Sequence, residues 1–161
     1  MPSEMIYFRL LHGFLFLVGV GMCIYISTQL ANPIPIHFGI SGEPDGFAPP
    51  TTVWALLVIW GFTAALMYWI GNHPELNTNV PSGLDADQLR RYNELTVKSL
   101  PKVNFFVGLL MLFVLGTIAY SGSTGKSIPT LVMWGVIGGT VVAILAVALK
   151  ARKSARAAVG L

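Results

Sequence analysis

Four long apolar runs divide the chain, at about residues 10–30, 53–70, 103–120 and 128–149, and none of them contains Asp, Glu, Lys or Arg. Crossing a hydrocarbon core of ~30 Å takes about 20 helical residues at ~1.5 Å each, so each run is predicted to span a membrane. The second and third runs are short by this measure. They are expected to stand nearly upright or to recruit Trp69 and Tyr120 at the interface. The pattern predicts an all-α integral membrane protein: one four-transmembrane-helix bundle over residues 1–161, with an ordered extracytoplasmic loop over 31–52 and a short interfacial helix within the loop 71–102.

That helix is expected over about 86–100. Asp85 is placed to cap it, Gln88 three residues on can reach back, and Pro101 ends or kinks it. At about 100° per residue, Leu89, Thr96 and Leu100 share one face, flanked by Tyr92 and Val97, while Arg90, Arg91, Glu94 and Lys98 gather opposite. A helix of this pattern lies in the inner membrane interface, with Arg90, Arg91 and Lys98 reaching toward anionic headgroups; a solvated linker helix fits the same pattern. Glu94 and Lys98 make a favourable i,i+4 pair. Within the spans, Gly61 with Ala65 and Gly135 with Gly139 repeat at helical spacing, which suits close packing in one bundle or a homo-oligomer.

Composition strengthens the membrane reading. The 161 residues are 54% hydrophobic and 11% charged, with mean hydropathy +0.68, too apolar for an ordinary soluble domain. The net charge of +3 does not indicate a nucleic-acid partner, because the cations flank apolar runs and form no basic face. Nine of the ten cations lie before the first run, between the second and third, or after the fourth, and only Lys126 lies elsewhere. The positive-inside rule therefore assigns both termini and the middle loop to the cytosol, and the loops 31–52 and 121–127 to the outside. Cys23, the single cysteine, offers no disulfide framework or multi-thiolate zinc site and is expected to be a packing residue. The first run ends in Thr28-Gln29-Leu30-Ala31, a poor cleavage site for a signal peptide, so it is expected to be retained.

The first outward loop carries the most unusual chemistry, over residues 32–47. Ile34, Ile36 and Phe38 alternate beside two prolines, which describes an extended segment with one apolar edge. Gly42-Glu43-Pro44-Asp45-Gly46 is placed for a tight turn that would bring His37, Glu43 and Asp45 near one another. Ile34-Pro35-Ile36-His37-Phe38, Gly42 and Asp45-Gly46 resemble the signature of a bacterial membrane family, domain of unknown function sixteen-forty-eight, whose pattern reads approximately (I/L)P-x-HF-x-x-x-G-x-x-DG. The resemblance covers Leu10 to Ile70, and the second half of the chain only by arrangement. Similar domains occur in the immunity and signalling protein of the sporulation-delaying toxin system. The resemblance therefore implies a multi-span protein of the bacterial cytoplasmic membrane that handles an extracellular peptide. The chain departs from the pattern in continuing with Phe47-Ala48-Pro49-Pro50, where the family usually turns polar or basic, and in having no spans beyond the four.

Three functional classes compete. The favoured one is a non-enzymatic, immunity or sensor-like protein, or an accessory subunit of a membrane complex. Its outward loop, through Pro35, His37, Phe38, Gly42, Glu43, Asp45 and Gly46, would recognise an extracellular peptide, an ion or another membrane protein. No nucleophile with its base, phosphate-binding glycine loop or dinucleotide fingerprint is present. The second class is a metal-dependent membrane enzyme with His37, Glu43 and Asp45 as ligands; beyond such an ion no cofactor is expected. The third, a transporter component, has only uncharged Thr63, Thr117 and Thr140 to offer inside the spans. His12, His73 and Asn104 are read as structural, with His12 hydrogen-bonding locally and Asn104 capping or joining helices.

Overall fold

The computed structural model describes residues 3–161. Its helices are α1 (Ser3–Gln29), α2 (Val53–Asn72), α3 (Ala86–Val97), α4 (Leu100–Thr124) and α5 (Thr130–Ala157), with a hairpin of β1 (Ile34–Phe38) and β2 (Pro44–Ala48) between α1 and α2. The α1, α2 and α5 helices and the α3–α4 segment make 4 stretches long and apolar enough to cross a membrane. The helices outrun the apolar runs that predict them. In particular α4 has 25 residues, so the third span is not short. It stops where Gly125 takes φ 67°, a left-handed conformation that closes a helix at little steric cost.

The core is built by three helices and the hairpin base. Cys23 and Ile26 of α1, Val53, Leu57 and Trp60 of α2, Leu115 and Ile118 of α4, and Ile34 of β1 form one buried cluster. Trp60 lies at its centre because glycines on both neighbours make room. A Cβ on Gly19 would stand 2.5 Å from the indole ring, and one on Gly108 would stand 3.2 Å from it. Apolar burial between helices gains little in lipid, so this close interlocking of a large ring with two glycines is where packing energy concentrates. Gly61 meets the Phe16 ring, whereas Gly135 and Gly139 have no neighbour within 4 Å. The α5 pair is therefore not used for packing among the described residues, and α5 buries only Met133 and Ala155.

The capping box of α3 forms as its sequence predicts: Gln88 N–H donates to Asp85 Oδ1 at 2.8 Å, and Asp85 N–H to Gln88 Oε1 at 3.0 Å. Pro101 sits in the first turn of α4, where a missing N–H is harmless, so α3 ends at Val97 before it. The buried face of α3 is Tyr92, Asn93 and Val97. Tyr92 packs with Ala155 of α5 and with Val159 just beyond it, and Leu84 and Val80 close the cluster. Leu89, expected at the centre of the apolar face, remains 37% exposed, because protein covers the Tyr92 side of the helix.

Candidate functional site: the hairpin and the polar groups below it

The loop after α1 is an antiparallel hairpin that pairs Ile34 with Ala48, Pro35 with Phe47, His37 with Gly46 and Phe38 with Pro44. This register skips Ile36 on β1 and Asp45 on β2, so each strand carries a bulge. The first bulge overturns the expected alternation: Ile34 and Pro35 are both buried, Ile36 and His37 both exposed, and Phe38 packs partly on the core. The turn also lies earlier than predicted. Gly42 N–H donates to Gly39 C=O at 2.9 Å, and Gly39 N–H to Glu43 C=O at 2.9 Å. The three-residue loop Ile40-Ser41-Gly42, with Gly42 at φ 82°, is the pattern of a type I turn closed by a glycine bulge. Pro44, Asp45 and Gly46 then begin β2, where a proline at the first position forfeits no interior ladder bond.

Backbone atoms fasten the hairpin tip to the start of α5. Thr130 Oγ1 donates to Ser41 C=O at 2.6 Å and Trp134 Nε1 donates to Ile40 C=O at 3.1 Å. Gly42 lies so close that a Cβ there would stand 2.2 Å from the Ile128 carbonyl oxygen. At the hairpin base, a Cβ on Gly122 of α4 would meet Leu30 at 2.9 Å and Ile34 at 3.6 Å. These anchors were not legible in the sequence, because Gly122, Ile128, Thr130 and Trp134 lie 86 to 94 positions from the residues they hold.

The anchoring uses neither His37 nor Asp45, whose side chains are exposed on the hairpin. His37 Nδ1 is hydrogen-bonded to Asp45 Oδ1, with the two side chains 71% and 52% exposed. A carboxylate only accepts, so Nδ1 is the donor in this contact, and Nε2 lies on the side of the ring away from Asp45. Gly46 makes the pairing possible: a Cβ there would lie 2.8 Å from the His37 Cβ. Glu43 does not join them. It stands exposed in the turn, and its carboxylate makes no hydrogen bond or ion pair among the described residues. Among those residues no group of three or more His, Cys, Asp or Glu side chains is placed to hold a metal ion, and His37 with Asp45 supplies two ligand types. Ile36, Ile40 and Phe47 of the same hairpin also expose apolar surface.

A second polar cluster runs down the opposite half of the bundle. Trp60 Nε1 donates to His12 Nε2 at 3.0 Å between α2 and α1, a contact across 48 positions and not a local one. Asn104 Nδ2 donates to the Ala64 carbonyl at 3.3 Å, joining α4 to α2. The His12 ring meets the edge of Tyr68, whose face carries the Arg9 guanidinium at 5.4 Å, and Arg9 Nη2 donates to Asn72 Oδ1 at 3.3 Å. On α3, Arg90 and Arg91 are exposed and Lys98 is half-buried; none of the three pairs with a carboxylate among the described residues.

Residues 14–61 match the model of a family described as Domain of unknown function (DUF1648). The matched segment lies inside the stretch that carries the resemblance and comprises most of α1, the whole hairpin and the first part of α2. Neither a curated protein nor a solved structure matches the chain.

Proposed function

We propose that this is a non-enzymatic, immunity or sensor-like protein of the bacterial cytoplasmic membrane whose hairpin recognises an extracellular amphipathic basic peptide. The observation that carries the reading is the exposed His37–Asp45 pair on a hairpin held by its backbone, since a ligand meeting it loses little to ordering the site. Asp45 and Glu43 supply negative charge for a basic group, and Ile36, Ile40 and Phe47 supply apolar contact beside it. The orientation rests on charge: nine of ten cations lie toward the end opposite the hairpin, which supports a cytosolic position for both termini.

The reading is tested with a synthetic alternating Leu–Lys peptide added to the outside of proteoliposomes, with sidedness fixed by labelling Ser41→Cys before, and Ser154→Cys only after, permeabilisation. His37→Ala and Asp45→Ala are expected to weaken peptide binding about tenfold or more, as for the loss of a charged contact, while the melting temperature holds. If stability falls and binding at saturating protein persists, the pair is structural and the reading is wrong.

A further inference from the structure

The basic end of the bundle holds a pocket that the hairpin reading does not use. A cavity of about 190 Å³ opens between α1, α2 and the α3–α4 junction, with Arg9, Tyr68, Asn72 and Lys98 on its wall beside Met5 and Met67. We infer that this pocket takes the phosphate group of an anionic phospholipid, bound through Arg9.

Three observations converge on that ligand. First, Arg9 has no carboxylate partner among the described residues; its neighbours are an amide oxygen and an aromatic face, neither of which neutralises it. Second, Arg9 Nε is buried without a hydrogen-bond partner in the protein, and Arg9 lines this pocket. A buried donor left unpaired is expensive, more so when charged, and a phosphate oxygen would satisfy it. Third, the wall is mixed: Arg9, Lys98 and Asn72 supply charged and amide groups and Met5 and Met67 supply apolar surface, which suits a headgroup with its acyl chain alongside.

Local charge balance favours an anion. Glu94 stands on the rim but is exposed, and Lys98, one turn further on, offsets it, so the Arg9 charge is left uncompensated. The position fits as well: Arg9 and Lys98 lie where the apolar runs give way to the cations, at headgroup depth, where basic pockets between helices hold lipid phosphates. Arg9 is suited to the role, since its planar fork can keep the Asn72 bond and direct Nε elsewhere.

The test titrates the full-length protein in detergent with short-chain phosphatidylglycerol, short-chain phosphatidylcholine and inorganic phosphate, read by native mass spectrometry and thermal shift. Saturable phosphatidylglycerol binding is expected, with Arg9→Gln weakening it about tenfold or more. Lys98→Gln removes the other cation on the wall and is expected to weaken it by a smaller factor, which keeps the test open if Arg9→Gln fails to fold. The exposed pair Arg90→Gln/Arg91→Gln is expected to leave it unchanged. Protection by inorganic phosphate alone, equal to that by the lipid, would keep the phosphate site but assign it to a soluble anion. If phosphatidylglycerol and phosphatidylcholine bind alike, if Lys98→Gln and Arg9→Gln both bind as wild type does, or if the Arg90/Arg91 variant loses as much as Arg9→Gln, the inference is overturned.

Discussion

Two histidines, His12 and His37, show how differently this chain employs the same side chain at its two ends. His12 is 3% exposed and accepts from Trp60, so its ring helps hold α1 to α2. His37 is 71% exposed on its side chain and holds only Asp45. At the hairpin, structure is maintained by backbone carbonyls, glycines and the side chains of α5, and the motif's ionisable groups are spared that duty. In the bundle interior the polar side chains are themselves the connections between helices. Holding the fold and presenting ionisable side chains thus fall to different groups at the hairpin, whereas around Trp60 the polar side chains themselves hold the fold.

The sharpest way to break that comparison is Trp60→Ala. It removes the ring that Gly19 and Gly108 accommodate and leaves His12 Nε2 buried without its donor, so a loss of about 3–5 kcal/mol is expected in thermal unfolding. His37→Ala removes an exposed contact and should stay within about 0.5 kcal/mol of wild type. Equal losses in the two variants would erase the distinction.

Gly42→Ala probes the hairpin's anchorage where the motif's side chains cannot. A Cβ at φ 82° is strained by about 1–2 kcal/mol, and here it would also meet the Ile128 carbonyl oxygen, so the tip must leave α5. Faster hydrogen exchange at the Gly39 and Gly42 amides is the expected signature, with the bundle unaffected. Unchanged exchange would mean the tip is held by something other than this contact.

Much of this architecture is legible in the sequence because membrane spans, capping boxes and glycine turns are local signals. Asp85 and Gln88 announce the start of α3, and four apolar runs announce four helices. The hairpin strands are half legible: Ile34 and Phe38 point to an extended segment, but the bulges at Ile36 and Asp45 follow from cross-strand pairing that no single strand encodes. The position of the turn depended on whether Gly42 ends it or begins it, and the close seat on Ile128 decides that from 86 positions away. The polar cluster around His12 was hidden for the same reason. A lone histidine and a lone asparagine in separate apolar runs do not reveal that Trp60 and Ala64 stand opposite them.

Asn104→Leu gives a smaller and more discriminating effect. Its amide bridges α4 to the Ala64 carbonyl, and interhelical hydrogen bonds of this kind contribute on average about 0.6 kcal/mol and at most about 1.7. A destabilisation in that range is expected. A stabilised variant would show that the buried amide serves something other than the fold.

The smallest expected effect lies at the other end of α2, where His73 and Glu75 are exposed like the hairpin pair but belong to no motif. His73 Nδ1 lies 2.8 Å from Glu75 Oε1. The Glu75 carboxyl is held below its usual range, first by a hydrogen bond from its own backbone N–H and then by the one from His73. A carboxyl whose folded pKa is depressed stabilises the fold at pH values above its unfolded pKa of about 4.5, and loses that contribution as pH falls through the folded value. The melting temperature of Glu75→Gln should therefore trail wild type slightly near neutral pH and converge with it as the solution is acidified below the ordinary glutamate range. Both side chains are open to solvent, so the gap should also shrink with added salt. A gap that widens on acidification would show that the pair is not held by the ionised carboxylate. A gap comparable to that of Trp60→Ala would mean that exposed ion pairs support this fold as strongly as its buried polar contacts do.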